Sequence, residues 1–220
     1  MKKLLRVLVP VSAFGLLTGF AVMRRAPSRA ANATEPSPQP AAPTQSGGDR
    51  ALEIIRTMKL TVLPRESGYL GLIGTSAQTT AGAGRPLAIQ SQVYYMLTHD
   101  LPVNYLHWLA PDDTHVLIEG GPVDYFIFHP DGHAEKITLG RNLAAGERPV
   151  VAVPGGCWKA LRLHDGTSYA LMANILSPEF TPDRVSIGAG REWIRRYAGA
   201  APWATEANLR ALIGPNWIGG

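Results

Sequence analysis

The chain has 220 residues, of which 45% are hydrophobic, which suffices for one well-buried domain with extensions. It carries 21 Lys and Arg against 17 Asp and Glu, but six of the basic residues and none of the acidic ones precede Thr34, so the remainder has a net charge of about −2. This balance argues against a nucleic-acid partner. The single cysteine, Cys157, excludes an internal disulfide.

The segment 1–33 has the order of an export signal. A basic start, an uncharged apolar run over 7–23, the pair Arg24-Arg25 and the A-x-A-like Ala31-Asn32-Ala33 follow one another. Two interpretations stay open: a cleaved signal peptide, or an uncleaved membrane anchor, because the run is near the lower length for spanning a bilayer. Both predict an extracytoplasmic domain, periplasmic or secreted, with a membrane tether in the second case.

The segment 34–48 is rich in Pro, Ala, Ser and Gln and is interpreted as a linker. Helical spacing of apolar residues predicts a short helix over 49–59. A loose loop is expected over Thr79–Pro86. About nine short strands separated by Gly- and Pro-containing turns predict a sandwich or barrel; they are Tyr69–Ile73, Ile89–Leu97, Tyr105–Leu109, Thr114–Ile118, Val123–Phe128, Lys136–Leu139, Val150–Val153, Trp158–Leu163 and Tyr169–Leu176.

The segment 191–220 differs from the strand-rich part. Two short helices are predicted, over 191–198 and over 205–213. Trp193, Trp203 and Trp217 give this extension a large apolar surface. It packs on the outside of the barrel in one interpretation and forms a partner-binding or dimer surface in the other.

Several segments carry a family resemblance, in order and with approximate spacing kept from Leu63 to Ile187. They are Glu66-Ser67-Gly68-Tyr69, the aromatic strand Val93–Leu97, His107 with Asp112-Asp113, Gly120–Gly132, and Val153–Trp158. The chain thereby resembles an uncharacterised cupin-like family related to the dTDP-sugar epimerases. The resemblance implies an all-β fold, a cupin jelly-roll β-barrel over 49–190 with short N- and C-terminal helical extensions, and a homodimer.

The resemblance also bears on metal binding. Metal-binding cupins supply two or three His and one Glu, and here His107 resembles the first His while Asp113 stands at the Glu position. Lys159 stands where a second-motif His is expected, and a protonated ammonium repels a metal. We therefore predict no metal site in the barrel mouth and no cofactor. The exception would be a bulge that turned His115 inward as a further ligand.

If the motifs align, His107, Asp113 and Lys159 point into one cavity. His107 is then a candidate general base oriented by Asp113, with Tyr95 as a candidate acid. In the alternative, the three residues form a satisfied polar network in a barrel that binds a ligand without converting it. The candidate ligand-binding residues are Lys159, Tyr69, Tyr94, Trp108 and Trp158.

Three functions remain open from the sequence. The first is an exported, metal-free cupin that binds a small, carbohydrate-like molecule. The second is an epimerase or isomerase with His107 as its base. The third is a structural or partner-binding module that uses the Trp-rich C-terminal segment. Cys157 is expected to be buried, and His129 and His133, which flank a hairpin turn, are expected to be solvated.

Overall fold

The computed structural model describes residues 46–219. The predicted signal or anchor over 1–33 and most of the predicted linker lie outside these residues. Between 46 and 219, no helix is long and apolar enough to cross a membrane. Helix α1 (Gly47–Thr57) opens the described part, with Ser46 as its N-cap accepting a hydrogen bond from the Asp49 amide at 3.1 Å.

Thirteen strands follow in the described part, and they include all nine that the sequence predicts. They are β1 (Thr61–Val62), β2 (Tyr69–Thr75), β3 (Thr79–Gly82), β4 (Arg85–Ala88), β5 (Ser91–Thr98), β6 (Val103–Leu109), β7 (Asp112–Gly120), β8 (Val123–Phe128), β9 (Ala134–Leu139), β10 (Val150–Val153), β11 (Trp158–Leu163), β12 (Tyr169–Ser177) and β13 (Val185–Ile187). Helices α2 (Arg191–Tyr197) and α3 (Glu206–Ile213) follow them.

Eleven of these strands form two antiparallel sheets that enclose the core, and β3 and β4 form a separate hairpin. The six-stranded sheet has the order β1-β2-β5-β12-β7-β10, and the five-stranded sheet has the order β13-β6-β11-β8-β9. Side chains alternate between the two faces of each strand, so Tyr125 and Ile127 of β8 face inward while Phe126 and Phe128 face outward. This is the predicted all-β jelly roll with short helical extensions, and the fold prediction is confirmed.

A β-bulge in β6 decides which of its side chains face inward. Lys159 of β11 pairs with His107, but Leu161, two residues further on, pairs with Asn104, three residues back on β6. The extra residue lets Asn104 and His107 both face the interior, although their odd spacing would put them on opposite faces of a regular strand.

Helix α1 covers part of the outer face of the six-stranded sheet. Ala51 and Ile54 of the helix are buried against a layer to which Met96 and, in part, Tyr69 and Tyr94 belong. This contact follows from the alternation in β5, where Tyr94 and Met96 lie on the face opposite to Tyr95.

Helices α2 and α3 cover the outer face of the five-stranded sheet. The Phe128 ring contacts Trp193 edge-on at 4.7 Å and Trp203 at 5.6 Å between ring centroids. The guanidinium of Arg210 lies 3.6 Å from the ring centroid of Trp217. The tryptophans of the extension therefore pack on the barrel, as the first of the two interpretations expects.

The expected loop over Thr79–Pro86 is wrong, because this segment forms a two-stranded hairpin of β3 and β4. Ala83 and Gly84 connect the strands with φ angles of 49° and 75°. Positive φ at both central residues is typical of a type I′ turn, whose twist matches that of the strands. Leu87 anchors the hairpin, with 1% of its surface exposed.

Candidate functional site

The two sheets enclose a cavity of about 310 Å³. Its apolar side chains come from β2, β5, β6 and β12 and from the segments before β2 and after β12. Its polar side chains come from those same two segments and from inward positions of the strands. The apolar lining residues are Leu63, Leu70, Leu72, Val93, Leu109, Leu176 and Phe180, and the polar ones include Glu66, Gln92, Tyr95, Asn104, His107, His115, Asn174 and Glu179.

His107 lines this cavity and is 2% exposed. Its Nδ1 lies 2.9 Å from the carbonyl oxygen of Tyr105 and 3.7 Å from Oε2 of Glu66. A carbonyl oxygen only accepts, so Nδ1 carries the proton and Nε2 is left with a free lone pair. Burial lowers the pKa of His107, with the Glu66 carboxylate opposing the shift, and the ring is therefore a neutral potential base.

The carboxylate in contact with His107 is Glu66, whereas Asp113 has other partners. Asp113 forms an ion pair with Lys159, and its Oδ1 lies 3.4 Å from Nε2 of His115. The side chains of Asp113 and Lys159 are 2% and 3% exposed and do not line the cavity. The structure thus brings Asp113 and Lys159 together, as the interpretation of a polar network expects. The pair does not line the cavity but lies behind His115, which does.

Lys159 experiences opposing electrostatic influences. Its removal from water lowers the pKa of its ammonium to about 7, and the Glu66 carboxylate opposes this shift. Direct contact with the Asp113 carboxylate also favours the charged form. A buried charge is tolerated only with such a partner, so each member of this ion pair needs the other in the barrel interior.

His115 lines the cavity beside His107 and is equally buried. Its Nδ1 hydrogen-bonds the hydroxyl of Tyr125, which also lies 3.3 Å from Sδ of Met172. Burial, together with the neighbouring His107 ring, which disfavours a second positive charge, lowers the pKa of His115 to about 3. The ring is therefore neutral at physiological pH.

Tyr95, the candidate acid, lines the cavity, and its hydroxyl donates a hydrogen bond of 2.7 Å to the carbonyl oxygen of Ser67. Burial, together with the Glu66 charge, raises the pKa of Tyr95 well above its ordinary value. The hydroxyl is protonated at neutral pH and is tied to the loop that carries Glu66.

Four candidate ligand-binding residues lie away from the cavity. Tyr69 and Tyr94 face helix α1 on the outside of the six-stranded sheet. Trp158 lies under α2, 6.3 Å from Trp193 between ring centroids, and Nε1 of Trp108 donates to the Gly156 carbonyl oxygen at 2.7 Å. These four side chains stabilise the fold where they stand and do not line the cavity.

The cavity contains polar residues that the sequence analysis does not single out. Glu66 is quoted there only as part of a family segment, and Asn104 and Asn174 are not considered. The sequence predicts that His115 faces inward only if its strand contains a bulge. This prediction is wrong, because Asp113 and His115 are two residues apart and the β7–β10 register is regular between them. Simple alternation from Asp113 would have found His115.

The polar residues of the barrel do not fit a metal ion. Within residues 46–219, one group of at least three His, Cys, Asp or Glu residues has ligand atoms within 4.8 Å of one another. It consists of His129, His133 and Glu135, and it lies outside the cavity. The Asp113 carboxylate is neutralised by Lys159, whose ammonium would repel a cation. Nδ1 of His115 is hydrogen-bonded to Tyr125, and Nε2 lies 3.4 Å from Oδ1 of Asp113 without a hydrogen-bond partner among residues 46–219.

A partly enclosed cavity lies between the two sheets of this jelly-roll barrel. The family model described as "Cupin superfamily (DUF985)" matches residues 52–187, and the chain belongs to this family. The resemblance found in the sequence is thereby confirmed.

Solved structures with the same fold accompany this match. A protein from Shewanella oneidensis is 22% identical, with a TM-score of 0.60 over 77% of this chain and 98% of that one. A hypothetical protein from Leishmania major is 24% identical, with a TM-score of 0.59 over 63% of this chain and 87% of that one. At these identities the likeness shows the fold alone. A search of curated protein sequences finds no significant match.

Proposed function

We propose that this cupin domain binds a small organic molecule in the barrel cavity, without a metal ion and outside the cytoplasm. The observation that carries the proposal is the cavity itself. It measures about 310 Å³, at the small end of the range for ligand pockets, and several polar side chains converge in it.

The metal-free part of the proposal rests on charge. A cation near the two histidines would meet the ammonium of Lys159, which already neutralises Asp113. His107 and His115 are neutral and hydrogen-bonded through Nδ1, so each is a partner for an uncharged polar group of a ligand.

The lining favours a ligand with an apolar part and a few hydrogen-bonding groups. Leu70, Leu72 and Phe180 give one side of the cavity an apolar wall, while Asn104 and Asn174 offer amide groups. The side-chain oxygen of Asn174 is buried with no hydrogen-bond partner within the described residues, so a ligand hydroxyl or amide N–H is the group that would satisfy it. Within the carbohydrate-like class that the sequence suggests, a deoxygenated or alkylated sugar fits this lining better than a fully hydroxylated one.

The test is a thermal-shift screen of the full-length protein against monosaccharides, their deoxy and alkyl derivatives, and small hydroxy-amides. Val93→Trp fills the cavity, and Val150→Trp places the same indole on an exposed surface. We expect compounds that stabilise the wild type and Val150→Trp but not Val93→Trp. Equal stabilisation of both variants would place binding elsewhere and contradict the proposal.

A second candidate function is proton transfer to or from a bound ligand, with His107 as the base. It is favoured by the free lone pair on Nε2 and by Glu66, which lies 3.7 Å from Nδ1 and would stabilise the charged ring. Glu66 takes the place that the sequence interpretation gave to Asp113. With a ligand from the screen, deuterium uptake from D₂O at a carbon atom would be lost in His107→Gln while binding persists. Absence of any such uptake in the wild type would leave binding as the function.

A further inference from the structure

The hairpin between β8 and β9 gathers a second group of polar side chains, away from the cavity. The amide of His129 donates to the carbonyl oxygen of His133 at 3.0 Å, so these two residues face each other across the turn. Glu135 follows His133 by two positions and is the second residue of β9. Nε2 of His129 lies 2.9 Å from Oε1 of Glu135, and one ligand atom from each of the three residues lies within 4.8 Å of the others.

The remaining nitrogen of each histidine has its own partner. Nδ1 of His133 lies 2.6 Å from Oδ1 of Asp131, and Nδ1 of His129 lies 3.5 Å from Sγ of Cys157. In metal sites, a hydrogen bond at one ring nitrogen fixes the tautomer and directs the other nitrogen at the ion. Cys157 thus contacts His129 at Nδ1, and Nε2 of the same ring is directed at Glu135.

Helix α2 holds the backbone of the turn. The hydroxyl of Tyr197 donates to the carbonyl oxygen of His129 at 2.8 Å, and the guanidinium of Arg196 donates to the carbonyl oxygen of Pro130. Among the side chains that contact this turn in the hydrogen bonds above, Asp131 and Glu135 carry two negative charges and Arg196 carries one positive charge. The turn therefore offers an anchored backbone and a net negative charge to a cation.

We propose that His129, His133 and Glu135 bind a divalent transition-metal ion, with Zn²⁺ as the ion best suited to two imidazoles and one carboxylate. The ligating atoms are Nε2 of both histidines and a carboxylate oxygen of Glu135, and a water completes the tetrahedron. The two rings are stacked, 3.8 Å apart and 11° from parallel, so one ring must rotate to aim its lone pair at the ion. The side chains of His133 and Asp131 are 56% and 71% exposed, so both can move together and keep their hydrogen bond.

This site is independent of the barrel proposal, because none of its three ligands lines the cavity. The expectation that both histidines are solvated holds for His133, whose side chain is 56% exposed, and is wrong for His129. The side chain of His129 is only 16% exposed, and its nitrogens contact Glu135 and Cys157.

The test is zinc binding by the full-length protein, measured at pH 7.5 by competition with a chromophoric chelator. We expect one zinc ion per chain, and affinity at least about tenfold weaker in His133→Ala and in Glu135→Gln. His99→Ala, which removes a histidine whose side chain is 82% exposed, and His107→Ala are expected to bind zinc as the wild type does.

Three results would overturn the proposal. They are no zinc uptake by the wild type, unchanged affinity in both His133→Ala and Glu135→Gln, and loss of zinc in His107→Ala, which would place the ion in the barrel instead. Because both ligand changes fall on side chains with half or nearly half of their surface exposed, folding is expected to survive them. A circular dichroism melt of each variant without zinc checks this.

Discussion

Replacing Lys159 by methionine should destabilise the barrel strongly, because it leaves the Asp113 carboxylate buried without its cation. Both side chains are at most 3% exposed, so water cannot take the place of the lost partner. The remaining neighbour of Asp113 is Nε2 of His115 at 3.4 Å. Removing one member of a buried ion pair costs about 3–5 kcal/mol. For a domain of this size that corresponds to a fall in melting temperature of roughly 6–20 °C.

The measurement is urea denaturation at pH 7 of the wild type, Lys159→Met, Asp113→Asn and the double variant. A buried pair is worth little relative to neutral residues of similar shape, so the double variant should recover most of the loss seen in Lys159→Met. If Lys159→Met unfolds within about 1 kcal/mol of the wild type, the side chain reaches solvent and the argument fails. The reasoning is equally refuted if the double variant is as unstable as the sum of the two single changes.

Three further predictions concern the fold. The pKa of His115 is lowered to about 3 in the fold, so the unfolded chain binds more protons than the folded one below pH 6.5. Denaturant titrations should therefore show the free energy of unfolding falling by up to about 2 kcal/mol between pH 7 and pH 5. This fall should be smaller in His115→Gln and as large as in the wild type in His99→Ala. Gly188→Ala, at a φ of 83°, puts a methyl group against the Asn216 carbonyl, whereas Gly146→Ala, at a φ of 82°, has open space around it. Melting temperatures should show that Gly188→Ala lowers the free energy of unfolding by at least about 1 kcal/mol more than Gly146→Ala does. Trp193→Ala should cost about 3–5 kcal/mol in chemical denaturation, since the indole is 9% exposed against Phe128, and a loss under 1 kcal/mol would mean that α2 does not pack on the barrel.

The architecture could be predicted from the sequence because its strands are separated by sharp turns. Gly120-Gly121-Pro122 joins β7, which ends at Gly120, to β8, and Pro154-Gly155-Gly156 lies between β10 and β11. The hairpin of β3 and β4 escaped prediction since its small residues give no alternating apolar pattern, and Gly84 alone is a weak turn signal.

The candidate site was harder to predict than the fold. Neighbouring residues of a strand face opposite sides, so only one of Tyr94 and Tyr95 can line the cavity, and the burial of Tyr94 under α1 depends on packing between distant segments. The inward position of His107 relative to Asn104 depends on the β6 bulge, which carries no reliable local signal. Glu66 reaches His107 from a loop, and a sequence does not reveal such an approach between residues 41 positions apart.

The central claim is that the barrel holds an organic molecule and no metal, and a native mass spectrum of the wild-type protein from the cell that produces it tests this most directly. The account predicts a bound mass of a small organic compound that is released on denaturation and is absent from Val93→Trp. A transition metal that is lost on His107→Ala, with no organic ligand in the wild type, would contradict it.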